Sequence, residues 1–149
     1  MDEKKRKIVI RSANLSRSTK LFSKMNPFVK IITQKQEYRS SISKAAEKRP
    51  VWNDTELIEV DIGENVKLQI LDFNSRDEPE LIAETTLTSK DLLGCVLKTD
   101  VFYKQQVVGQ IELEIQKTIK QDGIYVQHIA QEVINTVQQK CLGPQFQYP

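Results

Sequence analysis

One histidine and two cysteines are the side chains that a Cys-His nucleophile pair or a thiolate metal site would need, and their placing works against both. Cys95 and Cys141 lie far apart and match no metal or redox spacing. His128 stands among glutamines near the C-terminus, and by helical angle it does not share a face with Cys141, so no Cys-His pair is indicated. There is no Gly-rich phosphate loop, no clustered metal-ligand motif and no nucleophile elbow. No catalytic residue, metal or cofactor is therefore expected. The basic residues are more suggestive. Lys30, Lys35, Arg39, Lys44, Lys48 and Arg49 fall within one short stretch, interrupted by Glu37 and Glu47. A local patch of that kind can attract an anionic surface. The net charge of the 149-residue chain is only +2, so no large single-sign field exists and no nucleic-acid partner is expected.

The elements that position these residues fall into two regions. From residue 7 to 117, short apolar runs alternate with polar turns. "VKLQIL" places Val66, Leu68 and Ile70 on one face, and "VVGQIELEIQ" turns Ile111, Leu113 and Ile115 inward and Glu112 and Glu114 outward. This is the period of two of a strand with one buried face. "KIVIRSA", "NPFVKIITQ", "EYRSSIS", "TELIEVDI", "LIAETTL" and "TDVFYKQ" are weaker strands, and "KRPVWND", "IGEN" and "NSRDEPE" read as turns. Eight strands at this spacing predict an all-β antiparallel sandwich over residues 1–118.

Residues 119–149 change period and hold seven of the fourteen glutamines. Val126, Ile129, Ala130, Val133, Ile134, Val137 and Cys141 trace one face of a helix over about 123–141. Asp122 caps its start and Gly143-Pro144 ends it. Its polar face is Gln, Glu and Asn with Lys140 alone, unlike a bilayer-lying helix. Folding back on the sandwich and docking on a protein partner are both open. The charged start "MDEKKRK" lacks the apolar stretch of a signal peptide, and no run of about 18 apolar residues occurs. The expected location is cytoplasmic, with the membrane periphery, the cytoskeleton and the cilium as settings.

Four pieces, in order, resemble a known family. "SKMNPFVKI" is similar to the entry strand of a C2 domain, "KRPVWNDT" to its "NPVWNET" turn, "LQILDFNSRDEPELIAE" to its acidic loop and following strand, and "FYKQQVVGQIELEI" to the closing hairpin of small stand-alone members. The resemblance runs from about residue 7 to 116. It implies an eight-stranded antiparallel C2-type sandwich with three loops at one end, no catalysis, and calcium or lipid recognition by the loops.

Calcium takes about six to eight oxygens, mostly carboxylate. The family's five acidic positions carry over onto Lys20, Asn26, Asp72, Asn74 and Glu80. Two carboxylates remain and one position has become cationic, which turns attraction into repulsion of roughly 1–4 kcal/mol at short range. Lys20 is expected to bridge to Asp72 or Glu80, and Asn26 to initiate a turn before Pro27. The resemblance also places a basic lipid-binding face at Lys30, Arg39 and Lys44, with Lys20 beside it. It assigns Phe22 to packing against the sandwich rather than to insertion, Trp52 to the core, and Gly109 to a turn or bulge.

The leading expectation is thus a calcium-independent adaptor or structural subunit, joined to other protein subunits through Val126, Ile129, Val133, Ile134 and Val137. The second is a peripheral membrane protein that binds anionic lipid or phosphoinositide through the basic face. The third is a residual calcium response through Asp72, Asp77 and Glu80.

Overall fold

The computed structural model describes residues 5–93 and 95–117, and within them eight antiparallel strands form. They are β1 (Lys5–Leu15), β2 (Pro27–Ile32), β3 (Glu37–Arg39), β4 (Val51–Glu59), β5 (Val66–Asp72), β6 (Glu80–Leu87), β7 (Cys95–Tyr103) and β8 (Gln106–Lys117), with a 3-10 turn at Asp91–Leu93. The hydrogen-bonded order is β3-β2-β5-β6-β7-β8-β1-β4. At the β6–β7 junction a single position is paired, Glu84 opposite Phe102. The ladder folds over there, giving two four-stranded layers that share one core. The expected helix at 123–141, with Val126, Ile129, Val133, Ile134, Val137 and His128, lies outside the described residues.

Alternation fills the core. Ile8, Ile10, Leu68, Ile70, Ile111, Leu113 and Ile115 are buried from alternate positions of β1, β5 and β8. In β1 the register shifts between Ile10 and Ser12. That bulge swaps the parity, so the inward set passes from Ile8 and Ile10 to Ala13 and Leu15. A second irregularity, between Ile70 and Leu71, leaves neighbours Ile82 and Ala83 of β6 both buried.

Two element expectations need correction. "KRPVWND" is not wholly a turn, since β4 begins at Val51. Trp52 is buried and its Nε1 donates to the Pro27 carbonyl at 3.0 Å, which draws this stretch into the core. The "EYRSSIS" strand stops at Arg39. Beyond it, Ser40 and Ser43 donate their N–H groups to Val29 and Pro27, wrapping the chain over the β2 edge.

The β7–β8 hairpin turns at Lys104 and Gln105, both with positive φ. Gly109 lies beyond that turn, opposite Val101, where the β7–β8 register shifts. Its φ is +151, and a Cβ there would sit 2.2 Å from the Asn14 carbonyl oxygen, so close approach of β1 requires glycine. The connections 16–26, 40–50 and 73–79 gather with this hairpin at one end. The connections 33–36 and 60–65 and the 3-10 turn lie at the other.

Candidate functional site: the loop end

Asp72, the last residue of β5, is the centre of the loop end. Its side chain is fully buried, and its carboxylate accepts three donors. The Asn26 N–H reaches Oδ1 at 2.7 Å, the Thr19 hydroxyl reaches Oδ2 at 2.8 Å, and Lys20 Nζ lies 3.3 Å from Oδ2. Of the two carboxylates open to Lys20 in the sequence, Asp72 receives it. A divalent cation at Asp72 would meet an ammonium already bound there.

The other carried-over positions do not converge on that point. Asn26 Oδ1 accepts from the Ala45 N–H at 2.8 Å and so ties the first loop to the second, rather than opening a local turn. The positive φ of Ala45 turns its N–H toward it. Asn74 Oδ1 caps its own loop through the Arg76 N–H at 3.0 Å. Glu80 stands opposite Asp72 in the β5–β6 ladder, yet it is exposed. Asp77 is exposed too. Among the described residues no three His, Cys, Asp or Glu side chains come together as a metal-binding group. Around Asp72 the donor set is thus a network of protein hydrogen bonds with one ion pair.

Three residues that sequence reasoning did not single out as site residues complete the network. Thr19 is one. Glu47 is another: its Oε1 accepts from the Ser18 hydroxyl at 2.8 Å and the Met25 N–H at 3.4 Å. It is a tie between loops rather than an interruption of a basic surface. Arg17 is the third. Its guanidinium lies 3.5 Å from the Tyr103 ring centroid and donates to the Leu81 and Ile82 carbonyls at 3.0 and 3.3 Å. It crosses the opening where β6 and β7 part.

The tip of the first loop overturns the packing expectation. Phe22 is 96% exposed and Leu21 86%. Met25 fills the interior beneath the loop at 0% exposure, and its sulfur accepts the Thr19 N–H at 3.3 Å, so the sandwich needs no second apolar cap. Leu21 and Phe22 stand between Lys20 and the exposed Lys24. Phe73, at the start of the third loop, is 40% exposed at this same end.

The basic residues do not all lie at one end of the sandwich, and several of them are paired. Lys30 and Arg39 are neighbours across β2 and β3. Lys30 Nζ lies 3.6 Å from Glu37, and the Arg39 guanidinium covers the Phe28 ring at 5.5 Å. Lys44 is exposed on the second loop. Arg49 donates to Asn14. Lys35 lies in the connection at the opposite end, 3.0 Å from Glu59 and 3.7 Å from Asp61. Its hydrogen bond to Glu59 and the charges of Asp61 and Glu59 hold its pKa above the ordinary lysine value.

Comparison with known proteins gives this geometry a context. Residues 5–99, more than half of the chain, match the C2 domain family. The first C2 domain, domain A, of plant extended synaptotagmin 1 superposes with a TM-score of 0.68 at 16% identity, covering 80% of this chain and 99% of that one. The calcium-bound C2 domains A and B of extended synaptotagmin 2 give 0.63 at 15%, covering 78% of this chain and 46% of that one. Human GIVD cytosolic phospholipase A2 gives 0.65 at 18%, covering 79% of this chain but 16% of that one. No curated protein sequence matches the chain significantly.

Proposed function

Because the chain belongs to the C2 domain family, whose members mediate lipid or protein interactions, we propose that it is a non-catalytic, calcium-independent module that binds anionic membrane surfaces peripherally through its first loop. The observation that carries this reading is the exposure of Leu21 and Phe22 between two lysines, on a loop whose base is tied to Asp72. Burying one such side chain contributes about 1.5–3 kcal/mol, whereas each basic group near an anionic bilayer contributes about 1 kcal/mol. The apolar tip therefore contributes more than any single charge. Lys24, Lys44 and the Lys30–Arg39 pair add a smaller, salt-sensitive attraction. The third loop, with exposed Asp77 and Glu78 at the same end, opposes deeper docking on an anionic surface. The Lys20 ammonium 3.3 Å from Asp72 supports the calcium-independent part of this reading, because it supplies a positive charge to that carboxylate. Among the described residues no helix is long and apolar enough to cross a membrane. The adaptor reading rests on residues 119–149, which lie outside the described residues.

Co-sedimentation with vesicles containing anionic phospholipid tests the proposal. Pelleting is expected to be the same in calcium and in chelator. It should weaken modestly with salt and disappear in Phe22→Asp while surviving in Lys30→Glu. Loss in Lys30→Glu with retention in Phe22→Asp would move the contact to the basic strand face. Pelleting that requires calcium, or a rise in melting temperature with millimolar calcium, would overturn the calcium-independent reading.

A further inference from the structure

The end opposite the loops carries a feature that the lipid reading does not use. A cleft of about 510 Å³ opens between the β4–β5 connection and the 3-10 turn. Val60 and Leu92 form its buried floor. Ile62 and Leu93 stand on its walls, 82% and 56% exposed, with Glu64 and Lys90 among the polar residues that line it. Large aliphatic side chains exposed side by side with a polar margin mark a contact surface.

Arg6 also lines this cleft, and its Nε donates to the Leu92 carbonyl at 2.8 Å. In the β1–β8 ladder Arg6 pairs with Lys117, the last residue of β8. The chain therefore leaves the sandwich at the edge of the cleft. Thirty-two residues follow Lys117, and the eight-residue piece "TIKQDGIY" separates it from Val126, the first residue of the apolar stripe. Eight residues span at most about 26–29 Å when fully extended, still short of the roughly 30 Å by which the nine-residue strands β4 and β7 separate the two ends of the sandwich. A tether of that length keeps the stripe within reach of the cleft at high effective concentration. Its chemistry matches: Val and Ile on one side, and Gln, Glu and Asn on the other to meet a margin of mixed charge. A bilayer is a poorer match, because that polar side has Lys140 as its only cation.

We infer that the 123–141 segment folds back on its own sandwich and lays its valine and isoleucine face over the cleft at Ile62 and Leu93. That contact would cover the apolar walls of the cleft and would not involve the exposed Leu21–Phe22 loop at the other end. The inference is independent of the lipid reading, since it concerns the other end of the molecule.

Amide hydrogen exchange on the full chain tests it. In the native protein, peptides spanning 124–141 and 60–64 are expected to be protected. Ile62→Asp should speed exchange across 124–141 by about tenfold or more, with the strands unchanged. Val133→Asp should do the same to residues 60–64 and 89–93, while vesicle binding is retained in both variants. Unchanged exchange of 124–141 in Ile62→Asp overturns the inference. So does a segment with no protection in the isolated chain, which would return the stripe to a separate protein partner. Protection that disappears on dilution overturns it in favour of a second copy.

Discussion

The two ends of this sandwich are fed by the same strands and solve opposite problems. At the loop end, three connections meet over one buried carboxylate, and nearly every contact there is polar: Thr19, Lys20 and Asn26 on Asp72, Ser18 and Met25 on Glu47, Ala45 on Asn26. At the far end, Ile62 and Leu93 flank a cleft floored by Val60 and Leu92. Polar ties fix a loop without consuming its apolar residues. That is why Leu21 and Phe22 remain exposed at one end while the other presents a surface of the kind a helix face covers. The first way to break this contrast is to remove its polar centre. Asp72→Ala leaves the Asn26 N–H and the Thr19 hydroxyl without their acceptor and strands the largely covered Lys20 ammonium. A loss of about 3 kcal/mol is expected in urea denaturation. A change below about 0.5 kcal/mol, the scale of an ordinary surface substitution, would mean that the loop end is held by something other than Asp72.

The next test separates the charge from the hydrogen bonds. Lys20→Met removes the ammonium but keeps the two neutral donors on Asp72. Because Lys20 is partly solvated, the expected cost is smaller, about 1 kcal/mol. The loop stays in place, and the vesicle contact through Phe22 is retained. A cost equal to that of Asp72→Ala would show that the ion pair alone orders the loop. In that case the cation is the whole of the device and the hydrogen bonds follow from it.

How far this was legible beforehand differs between fold and site. The eight strands followed from alternation, because each has one face against the core, and β5 and β8 read cleanly for that reason. The boundaries at "KRPVWND" and "EYRSSIS" did not. There the chain is placed by Trp52 on the Pro27 carbonyl and by serines on β2, long-range contacts that leave no local period. The Lys20–Asp72 pairing was readable because opposite charges at equivalent loop positions constrain each other. The role of Glu47 was not, since a glutamate among lysines looks like surface until Ser18 and Met25 are placed against it. Phe22 was misjudged for a related reason. Two apolar residues, Met25 and Phe22, were available to fill one interior space, and the longer, unbranched thioether took it. Gly109 carried its signal in its type alone. Its need for positive φ became specific once Asn14 was seen to press on it.

The smallest expected effect lies between the two ends, at the open edge where β4 faces β3. Glu56 stands opposite Ile8 on β4, partly buried. Burial, and then the nearby Asp54 carboxylate, raise its pKa from the ordinary 4.5. Asp54 itself is satisfied by the Ser41 N–H, and the Tyr38 hydroxyl that reaches this edge is engaged by the Glu59 N–H. The Tyr38 oxygen acts there as an acceptor. The folded chain therefore binds the Glu56 proton more tightly than the unfolded chain does. The cost of its charge is fully present above the raised folded pKa. It disappears as pH falls through that value toward the unfolded one. Glu56→Gln should raise the melting temperature slightly at neutral pH, and the gain should vanish at pH values below 4.5. A gain independent of pH would assign the effect to packing. A loss at neutral pH would mean that the Glu56 charge has a partner at this edge, and that the edge, like the loop end, is held by polar ties.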